Sequence, residues 1–339
     1  MRSIAIIMAG GKGERFWPLS REDNPKQFLR IKGDKELIEA TYERTRPLFD
    51  HVVIVTTRRL EDKVRERFKD ASIIAEPEGK NTGPCVAVAT LFAKENGYSL
   101  VGVFPADHYI EGIDGFRNNV KDALSMAQKG FISTIGIRPN RADTGFGYIE
   151  RGDKIQDGIY KVVKFHEKPE LEKAKTYYSS GRFYWNAGMF FWKTDVFFEE
   201  VQHYAPFLLE PLKRYSLSNL EDIYKDMPSI SIDYALLEKT KKAVVIESSF
   251  FWEDLGSYIA LERVFEKNKM GNIDLGESIE IDARGNIIVS ESGLVAVLGI
   301  EGLVVVHTKD VTLVLPKDRA QEVKNIVKKL REEGKKDYL

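Results

Sequence analysis

The chain has 339 residues, 43% of them hydrophobic and 11% aromatic, so it can form a sizeable core and is not a disordered protein. Its 51 Lys and Arg residues against 52 Asp and Glu residues give a net charge of −1, which provides no overall attraction for nucleic acid or acidic lipid. No apolar stretch approaches the ~20 residues of a membrane-spanning helix, and the single cysteine, Cys85, cannot form an internal disulfide. We therefore expect a cytoplasmic globular protein of about two domains that binds neither nucleic acid nor membrane.

The first part of the chain alternates short apolar runs with amphipathic stretches. The apolar runs predict buried strands at residues 4–8, 52–55, 73–74 and 100–104. The amphipathic stretches predict helices at residues 36–46, 60–68, 84–95 and 115–128. This alternation is typical of a parallel sheet with helices on both faces, which binds ligands at the carboxyl ends of its strands.

The pattern changes after residue 130. Further strands are predicted at residues 131–137, 148–150, 159–166 and 183–192, and helices at residues 171–178 and 196–203. After about residue 270, glycines separate β-branched runs that end at residues 311–315, and a helix over residues 318–332 begins with a capping box of Asp318 and Gln321. We expect an α/β domain over residues 1–268 and a small β-rich domain with a closing helix over residues 269–339.

The most informative motif is GGKGERFWPLSR at residues 10–21, directly after the first predicted strand. Its glycines let backbone N–H groups converge on an anion, and Lys12 and Arg15 add positive charge; Lys26 follows in PKQF. Phe16 replaces the third glycine of the dinucleotide pattern G-x-G-x-x-G, and the chain contains no Walker sequence. A glycine-rich turn is often only a turn, but these cations favour a phosphate-binding loop.

FWPLSR followed by PKQF resembles the signature of the sugar-nucleotide pyrophosphorylases, a family of nucleotidyltransferases. The sequence of the motif is most similar to that of family members that convert GTP and mannose 1-phosphate into GDP-mannose and diphosphate. In these members the sugar phosphate attacks the α-phosphorus of GTP in line. The resemblance implies a Rossmann-like, glycosyltransferase-A-like mixed sheet, followed by a domain like a left-handed β-helix. It implies that Arg15 and Lys26 stabilise phosphate charge, and that the nucleotide contacts Ala9, Gly10, Gly11, Lys12, Gly13 and Glu14.

The segment EPEGKNTGP, residues 76–84, follows a short strand and precedes a helix. Taken alone, it is a loop in which Asn81 or Thr82 caps that helix. The same segment occurs in the family, where it closes on the nucleobase. The resemblance therefore implies that Glu76, Asn81 and Thr82 bind the nucleotide, with an acceptor facing N1 and N2 of guanine.

Two aspartates follow strand-like runs, Asp107 in FPADH and Asp254 in FWEDLGS. Either could be an ordinary turn or helix-start residue. The family pairs aspartates at these places to hold one Mg²⁺, or Mn²⁺ or Co²⁺, and phosphate oxygens and water complete the octahedron. The five histidines show no metal-ligand spacing, and we interpret Cys85 as a core residue.

Three further segments match the family: DTGFGYIE at 143–150, FHEKP at 165–169 and YWNAGMF at 184–190. An asparagine in an aromatic strand needs hydrogen-bond partners, which a sugar hydroxyl or the protein backbone could supply equally well. The resemblance implies that Gly145, Glu167 and Asn186 contact sugar hydroxyls and that Lys168 binds the sugar phosphate. Asp233 also matches a family motif, and we expect it to have a structural or supporting role.

Three other functions stay open at this point. A pyrophosphorylase could use another pair, such as glucose 1-phosphate with UTP or dTTP. A glycosyltransferase would share the α/β layout but needs an Asp-x-Asp metal motif, whereas residues 105–109 contain Asp107 alone. A non-catalytic relative that binds nucleotide sugars is expected to have lost a cation or carboxylate, and none is missing here. We also expect a homodimer, because the apolar C-terminal region could cover a partner.

Overall fold

The computed structural model describes residues 1–339, which group into two compact units. The first unit comprises residues 1–10, 41–106 and 110–252, and the second comprises residues 11–40, 107–109 and 253–339. A domain boundary between residues 268 and 269 stays a prediction. None of the helices is both long and apolar enough to span a membrane.

The chain forms fifteen strands and ten α-helices, joined by short 3₁₀ turns. The strands are β1 Ser3–Ala9, β2 His51–Thr57, β3 Ser72–Glu76, β4 Leu100–Pro105, β5 Tyr109–Glu111, β6 Ile132–Ile137, β7 Tyr148–Gln156, β8 Ile159–His166, β9 Phe183–Lys193, β10 Ala243–Glu247, β11 Phe251–Glu253, β12 Ile273–Ile281, β13 Ile287–Leu298, β14 Leu303–His307 and β15 Thr312–Pro316. The helices are α1 Leu37–Thr45, α2 Glu61–Arg67, α3 Thr82–Glu95, α4 Ile113–Gln128, α5 Leu171–Ser180, α6 Thr194–Tyr204, α7 Glu210–Arg214, α8 Leu220–Asp226, α9 Leu261–Val264 and α10 Val323–Glu332.

The first unit contains a nine-stranded mixed sheet in the order β3-β2-β1-β4-β9-β6-β10-β8-β7. Strands β1 to β4 run parallel, whereas β9 lies antiparallel between β4 and β6. Successive side chains along each strand point to opposite faces of the sheet, so both faces need a cover. Helices provide it. Ile4 and Ile6 of β1 share a core cluster with α3, while Phe104 of β4 contacts Phe116 of α4.

The second unit contains a four-stranded sheet, β12-β13-β14-β15, in which β12, β13 and β14 are parallel and β15 is antiparallel. The pairing of β12 with β13 shifts at Gly276, whose φ is +105°. A Cβ there would lie 2.1 Å from the carbonyl oxygen of Ser290, so only glycine fits. The predicted β-rich region is therefore confirmed.

Two buried asparagines connect the segments that join the strands of this sheet. Asn272 accepts a hydrogen bond from the Asn286 N–H at 2.7 Å and donates to the carbonyl of Ala283 at 2.9 Å. Asn286 accepts from the Leu303 N–H at 2.9 Å and donates to the carbonyl of Ile300 at 3.1 Å. These side chains satisfy the backbone groups of turns that have no ladder partner.

Sequence patterns miss some short elements and misplace one helix start. Strands β5, β10 and β11 and helices α7 and α8 are too short for a clear hydrophobic period. The sequence predicts the closing helix from residue 318, but residues 317–322 form a 3₁₀ turn and α10 begins at Val323. The predicted capping box is wrong: no side chain caps either element, and Gln321 instead donates to the hydroxyl of Ser257 at 3.3 Å.

The asparagine pair generates a stability prediction. Asn286→Ala leaves the Leu303 N–H without its side-chain acceptor and removes one of the two hydrogen bonds to the Ile300 carbonyl, which keeps the Arg284 N–H, so we expect the free energy of unfolding to fall by about 1–3 kcal/mol in urea denaturation. The exposed Asn325 on α10 is the matched control, and Asn325→Ala should change this free energy by less than about 0.5 kcal/mol. Equal losses in the two variants would contradict the structural role.

Candidate active site

The glycine-rich loop of the second unit is shaped by close contact with Lys26. Gly13 has a φ of +62°, and a Cβ there would lie 2.4 Å from the Cβ of Lys26, so this position requires glycine. The loop continues into a 3₁₀ turn over Glu14–Phe16, whose Phe16 is buried. The hydroxyl of Tyr258 donates to the Phe16 carbonyl at 2.8 Å and holds the turn in the core of the unit.

A cleft of about 370 Å³ opens beside this loop. Its lining residues are Lys12, Gly13, Glu14, Arg15, Phe16, Lys26, Asp107, His108, Asp254, Leu255, Gly256 and Lys324. Lys12 and Arg15 are exposed and form no ion pair with another side chain. Unpaired cations beside glycine-loop N–H groups create a site for an anion.

Lys26 connects the two aspartates of the cleft. Its buried ammonium forms an ion pair with Asp107 at 2.9 Å and donates a hydrogen bond to the backbone carbonyl of Asp254. Burial disfavours the charged form of Asp107, but Lys26 and His108 outweigh it and hold the pKa of that carboxyl below its ordinary value. Burial raises the pKa of Asp254 to about 7, and the nearby Glu253 and Asp107 carboxylates add to the rise against the opposing effect of Lys26. Lys26 thus pairs with Asp107, whereas the Asp254 carboxyl, buried and close to Glu253, is partly protonated at neutral pH.

The donor set suits a hard divalent cation. Asp107 and Asp254 line one cleft, and burial disfavours the charged form of Asp254, which a bound cation would favour. No group of three or more Asp, Glu, His or Cys side chains is assembled for a metal, so two carboxylates would leave most coordination positions to phosphate oxygens and water. The two residues fit an ion that binds together with a phosphorylated ligand.

Glu76 lies in the first unit at the end of β3 and is only 5% exposed. The hydroxyl of Tyr224 donates to its carboxylate at 2.7 Å, and a Cβ on Gly10 would lie 3.1 Å from its other oxygen. Burial raises the pKa of Glu76 to about 7, although the Tyr224 hydrogen bond opposes the rise. A side chain at position 10 would therefore crowd this carboxyl, which is partly protonated at neutral pH.

Asn81 and Thr82 both contribute to the start of α3. The Asn81 side chain accepts a hydrogen bond from the Thr82 N–H at 2.8 Å, which confirms the predicted cap. The Thr82 hydroxyl accepts from the Ile232 N–H at 2.9 Å. Cys85, on the same helix, is buried as predicted, and burial raises the pKa of its thiol. Nucleotide binding by Asn81 and Thr82 stays a prediction.

The predicted sugar-binding residues also lie in the first unit. Asn186 donates to the Asp233 carboxylate at 2.7 Å and accepts from the Gly188 N–H at 3.0 Å, so protein groups already satisfy much of its amide. Glu167 lies 3.4 Å from the Lys168 ammonium, and burial, with Glu167 nearby, raises the pKa of Asp233 to about 6. The structure therefore brings these four side chains together.

The backbone N–H of Gly145 is already used in a hydrogen bond within the protein. Its N–H donates to the Asp143 carboxylate at 2.8 Å, so its carbonyl is the group left for a ligand. A sugar contact at Gly145 stays a prediction.

Several residues of the candidate site carry no signal in the sequence. His108 and Lys324 line the cleft, although the first belongs to a histidine set without spacing and the second to an amphipathic helix far along the chain. Leu255, also lining the cleft, has a φ of +51° and is fully buried, so core packing holds this strained residue beside Asp254. A leucine gives no hint of that conformation.

Two family models match the chain. One, described as nucleotidyl transferase, covers residues 4–270, and the other, described as a MannoseP isomerase/GMP-like beta-helix domain, covers residues 276–330.

Individual relatives agree with these models. Mannose-1-phosphate guanylyltransferase 2 of Escherichia coli O157:H7 is 39% identical over an alignment of 361 positions, which covers 99% of this chain and 75% of that protein. A crystal structure described as mannose-1-phosphate geranyltransferase from Thermus thermophilus matches with a TM-score of 0.92 and 37% identity, over 98% of this chain and all of that one. A UDP-glucose pyrophosphorylase complexed with UDP-glucose matches at 20% identity and a TM-score of 0.54, over 77% of this chain and 96% of that one, which shows a shared fold.

The buried Glu76 predicts a pH-dependent stability. Its pKa rises from 4.5 to about 7 on folding, so the unfolded chain loses its proton first and the free energy of unfolding declines as pH rises through this window. We expect Glu76→Gln to remove a loss on the order of 3 kcal/mol, so the variant should gain stability over the wild type at pH 8 and not at pH 4. Denaturant titrations at both values test this, and the exposed Glu78→Gln on the same loop should follow the wild type.

Proposed function

Because the chain belongs to the nucleotidyl transferase family, with mannose-1-phosphate guanylyltransferases among its relatives over nearly its full length, we propose that it converts GTP and mannose 1-phosphate into GDP-mannose and diphosphate. One observation carries the proposal at the residue level. The unpaired cations Lys12 and Arg15 share a single cleft with the carboxylates of Asp107 and Asp254. Such a cleft suits a triphosphate accompanied by a divalent cation.

The reaction requires positioning and charge neutralisation more than proton transfer. Two polyanions must approach until an oxygen of the sugar phosphate attacks the α-phosphorus in line and diphosphate leaves. The attacking phosphate is already ionised at neutral pH, so no general base is needed. Arg15, free of ion pairs, would stabilise charge at the α-phosphate and the leaving group, and Lys168, whose side chain is 61% exposed, would hold the sugar phosphate.

Lys26 has two roles in this proposal: it would stabilise phosphate charge, and it fixes the two segments that carry Asp107 and Asp254. Its ammonium is buried against Asp107 and the Asp254 carbonyl, so it fixes both segments before any ligand arrives. Gly13 packs against Lys26, and the loop residues Gly11 to Gly13 would offer backbone N–H groups to the phosphates.

Asp107 and Asp254 would hold Mg²⁺, with Mn²⁺ and Co²⁺ as alternatives. When bound, the ion would neutralise phosphate charge and favour departure of diphosphate. A bound cation favours the ionised form of a carboxyl, so it would lower the pKa of Asp254 and keep both aspartates ionised at neutral pH.

Groups of the first unit would provide specificity. Glu76, with Tyr224 fixing one carboxylate oxygen, could accept hydrogen bonds from guanine N1 and N2, which uracil and thymine do not present together. Asn81 and Thr82 would support this loop. Glu167, Asn186 and the Gly145 carbonyl would contact mannose hydroxyls, and Asp233 would orient the Asn186 amide.

We also propose that the protein acts as a cytoplasmic homodimer. Ile281 of β12 and Leu298 of β13 are register neighbours, 55% and 69% exposed, and Ile279 and Leu294 extend this apolar sheet face. A second copy would remove this surface from water.

Diphosphate release with mannose 1-phosphate, Mg²⁺ and one nucleotide at a time tests the proposal. We expect turnover with GTP and about a hundredfold less with ATP, UTP or dTTP, because these bases lack the guanine edge. EDTA should abolish the reaction. Preference for another nucleotide, or for glucose 1-phosphate, would contradict the assignment and leave the family unchanged.

The two aspartates can be tested separately from folding. Asp107→Asn and Asp254→Asn should each lower kcat on the order of 10²–10³-fold and raise the Mg²⁺ concentration needed for half-maximal rate, because a neutral amide binds the ion poorly. Asp114→Asn, at a side chain that is 89% exposed, is the control and should match the wild type. Unchanged Mg²⁺ dependence in both cleft variants would remove these residues from the metal site.

A further inference from the structure

We propose that Lys324 of the C-terminal helix is a further phosphate-binding residue, which contacts the nucleoside triphosphate or the diphosphate released from it. The inference deepens the proposed function and rests on it. Lys324 lines the same cleft as Lys12, Arg15 and Lys26, although it lies in α10, the last α-helix of the chain.

Helix α10 is fixed directly on the glycine loop. Its buried Val323 and Val327 share a core cluster with Phe16 and Trp17 of that loop. Side chains at these positions lie one turn apart on the same helix face. The helix is therefore a rigid support for groups along its edge, and Lys324 lies beside the first of these anchors.

Three polar contacts also hold the C-terminal part of the chain against the glycine loop and the residues that follow it. Arg331 forms ion pairs with Glu14 at 2.8 Å and Glu22 at 3.2 Å, and the Trp17 indole donates to the Tyr338 carbonyl at 2.7 Å. Arg331 lies about two helical turns after Lys324, on the same side of the helix. Because Arg331 reaches the loop from this side, Lys324 is directed to the cleft that the loop borders.

The charge pattern distinguishes Lys324 from its neighbours. Lys328 and Lys329 form ion pairs with Glu332 and Glu333, both at 3.8 Å. Lys324 forms no ion pair, as is also true of Lys12 and Arg15 in the same cleft. Glu14, the remaining acid of the loop, is already neutralised by Arg331. Lys324 is thus a cation without an ion pair that lines the cleft.

The chemistry of the ligand explains the need for this cation. A magnesium-bound triphosphate keeps net negative charge, and released diphosphate carries still more charge per phosphorus. Arg15 is assigned to the α-phosphate and the leaving group, and Lys12 and Lys324 would add positive charge at the distal phosphates. An ammonium on a flexible stem suits a point contact with such a group.

Binding of inorganic diphosphate in the presence of Mg²⁺, measured by titration calorimetry on the full chain, tests the inference without turnover. We expect Lys324→Ala to weaken diphosphate binding about tenfold, Lys324→Arg to keep most of it, and Lys328→Ala to bind like the wild type. In turnover assays, Lys324→Ala should raise KM for GTP and leave KM for mannose 1-phosphate unchanged. Equal thermal unfolding temperatures would exclude a folding effect, since Lys324 is exposed.

The outcomes separate this inference from the proposed function. Selective loss of diphosphate binding in Lys324→Ala supports the residue's role even if the wild type prefers a nucleotide other than GTP. Wild-type affinity in Lys324→Ala, no diphosphate binding by the wild type, or an equal loss in Lys328→Ala would overturn it.

Discussion

The ammonium group of Lys26 connects three segments that are far apart in the sequence. It forms an ion pair with Asp107 and donates to the carbonyl of Asp254, while the Cβ and backbone of Lys26 pack against Gly13. A buried ammonium without these oxygens would be strongly disfavoured, so the glycine loop and both aspartate turns are constrained to meet. The cleft that they border is a consequence of this contact.

The same contact leaves the cleft electrostatically incomplete. Lys26 pairs with Asp107, whereas burial, together with the neighbouring Glu253 and Asp107 carboxylates, raises the pKa of Asp254 against the effect of Lys26. Lys12 and Arg15 remain exposed and unpaired at the rim. A divalent ion together with a polyphosphate would balance both sets of charge, which is why the geometry supports phosphoryl chemistry without a nucleophilic side chain.

Much of the fold is predictable because its main elements are long and periodic. Strands such as β1 and β4 are buried on both faces, and helices such as α3, which lies between β3 and β4 in the chain, are long enough to show their pattern. The mixed sheet comes from the family resemblance, since nothing local in the residues of β9 indicates that it inserts antiparallel between β4 and β6. Short elements such as β11 escape prediction, as does the 3₁₀ start of the closing helix, because tertiary contacts decide them.

Part of the candidate site, like part of the fold, is predictable from the sequence. Gly13, Lys26, Asp107 and Asp254 belong to recognisable motifs, and the structure brings them into one cleft or its wall. The sequence allows Asn186 either sugar or protein partners, and the structure gives it protein partners. Lys324 and the strained Leu255 could not be predicted, because one depends on how a distant helix docks and the other on burial against its preferred backbone conformation.

A crystal structure of the protein with GTP and Mn²⁺ tests the central claim most directly, since anomalous scattering locates the manganese. The account predicts a manganese ion in coordination contact with carboxylate oxygens of both Asp107 and Asp254 and with phosphate oxygens of the nucleotide. Manganese bound elsewhere, with Lys26 still paired to Asp107 and the triphosphate away from the glycine loop, would contradict it.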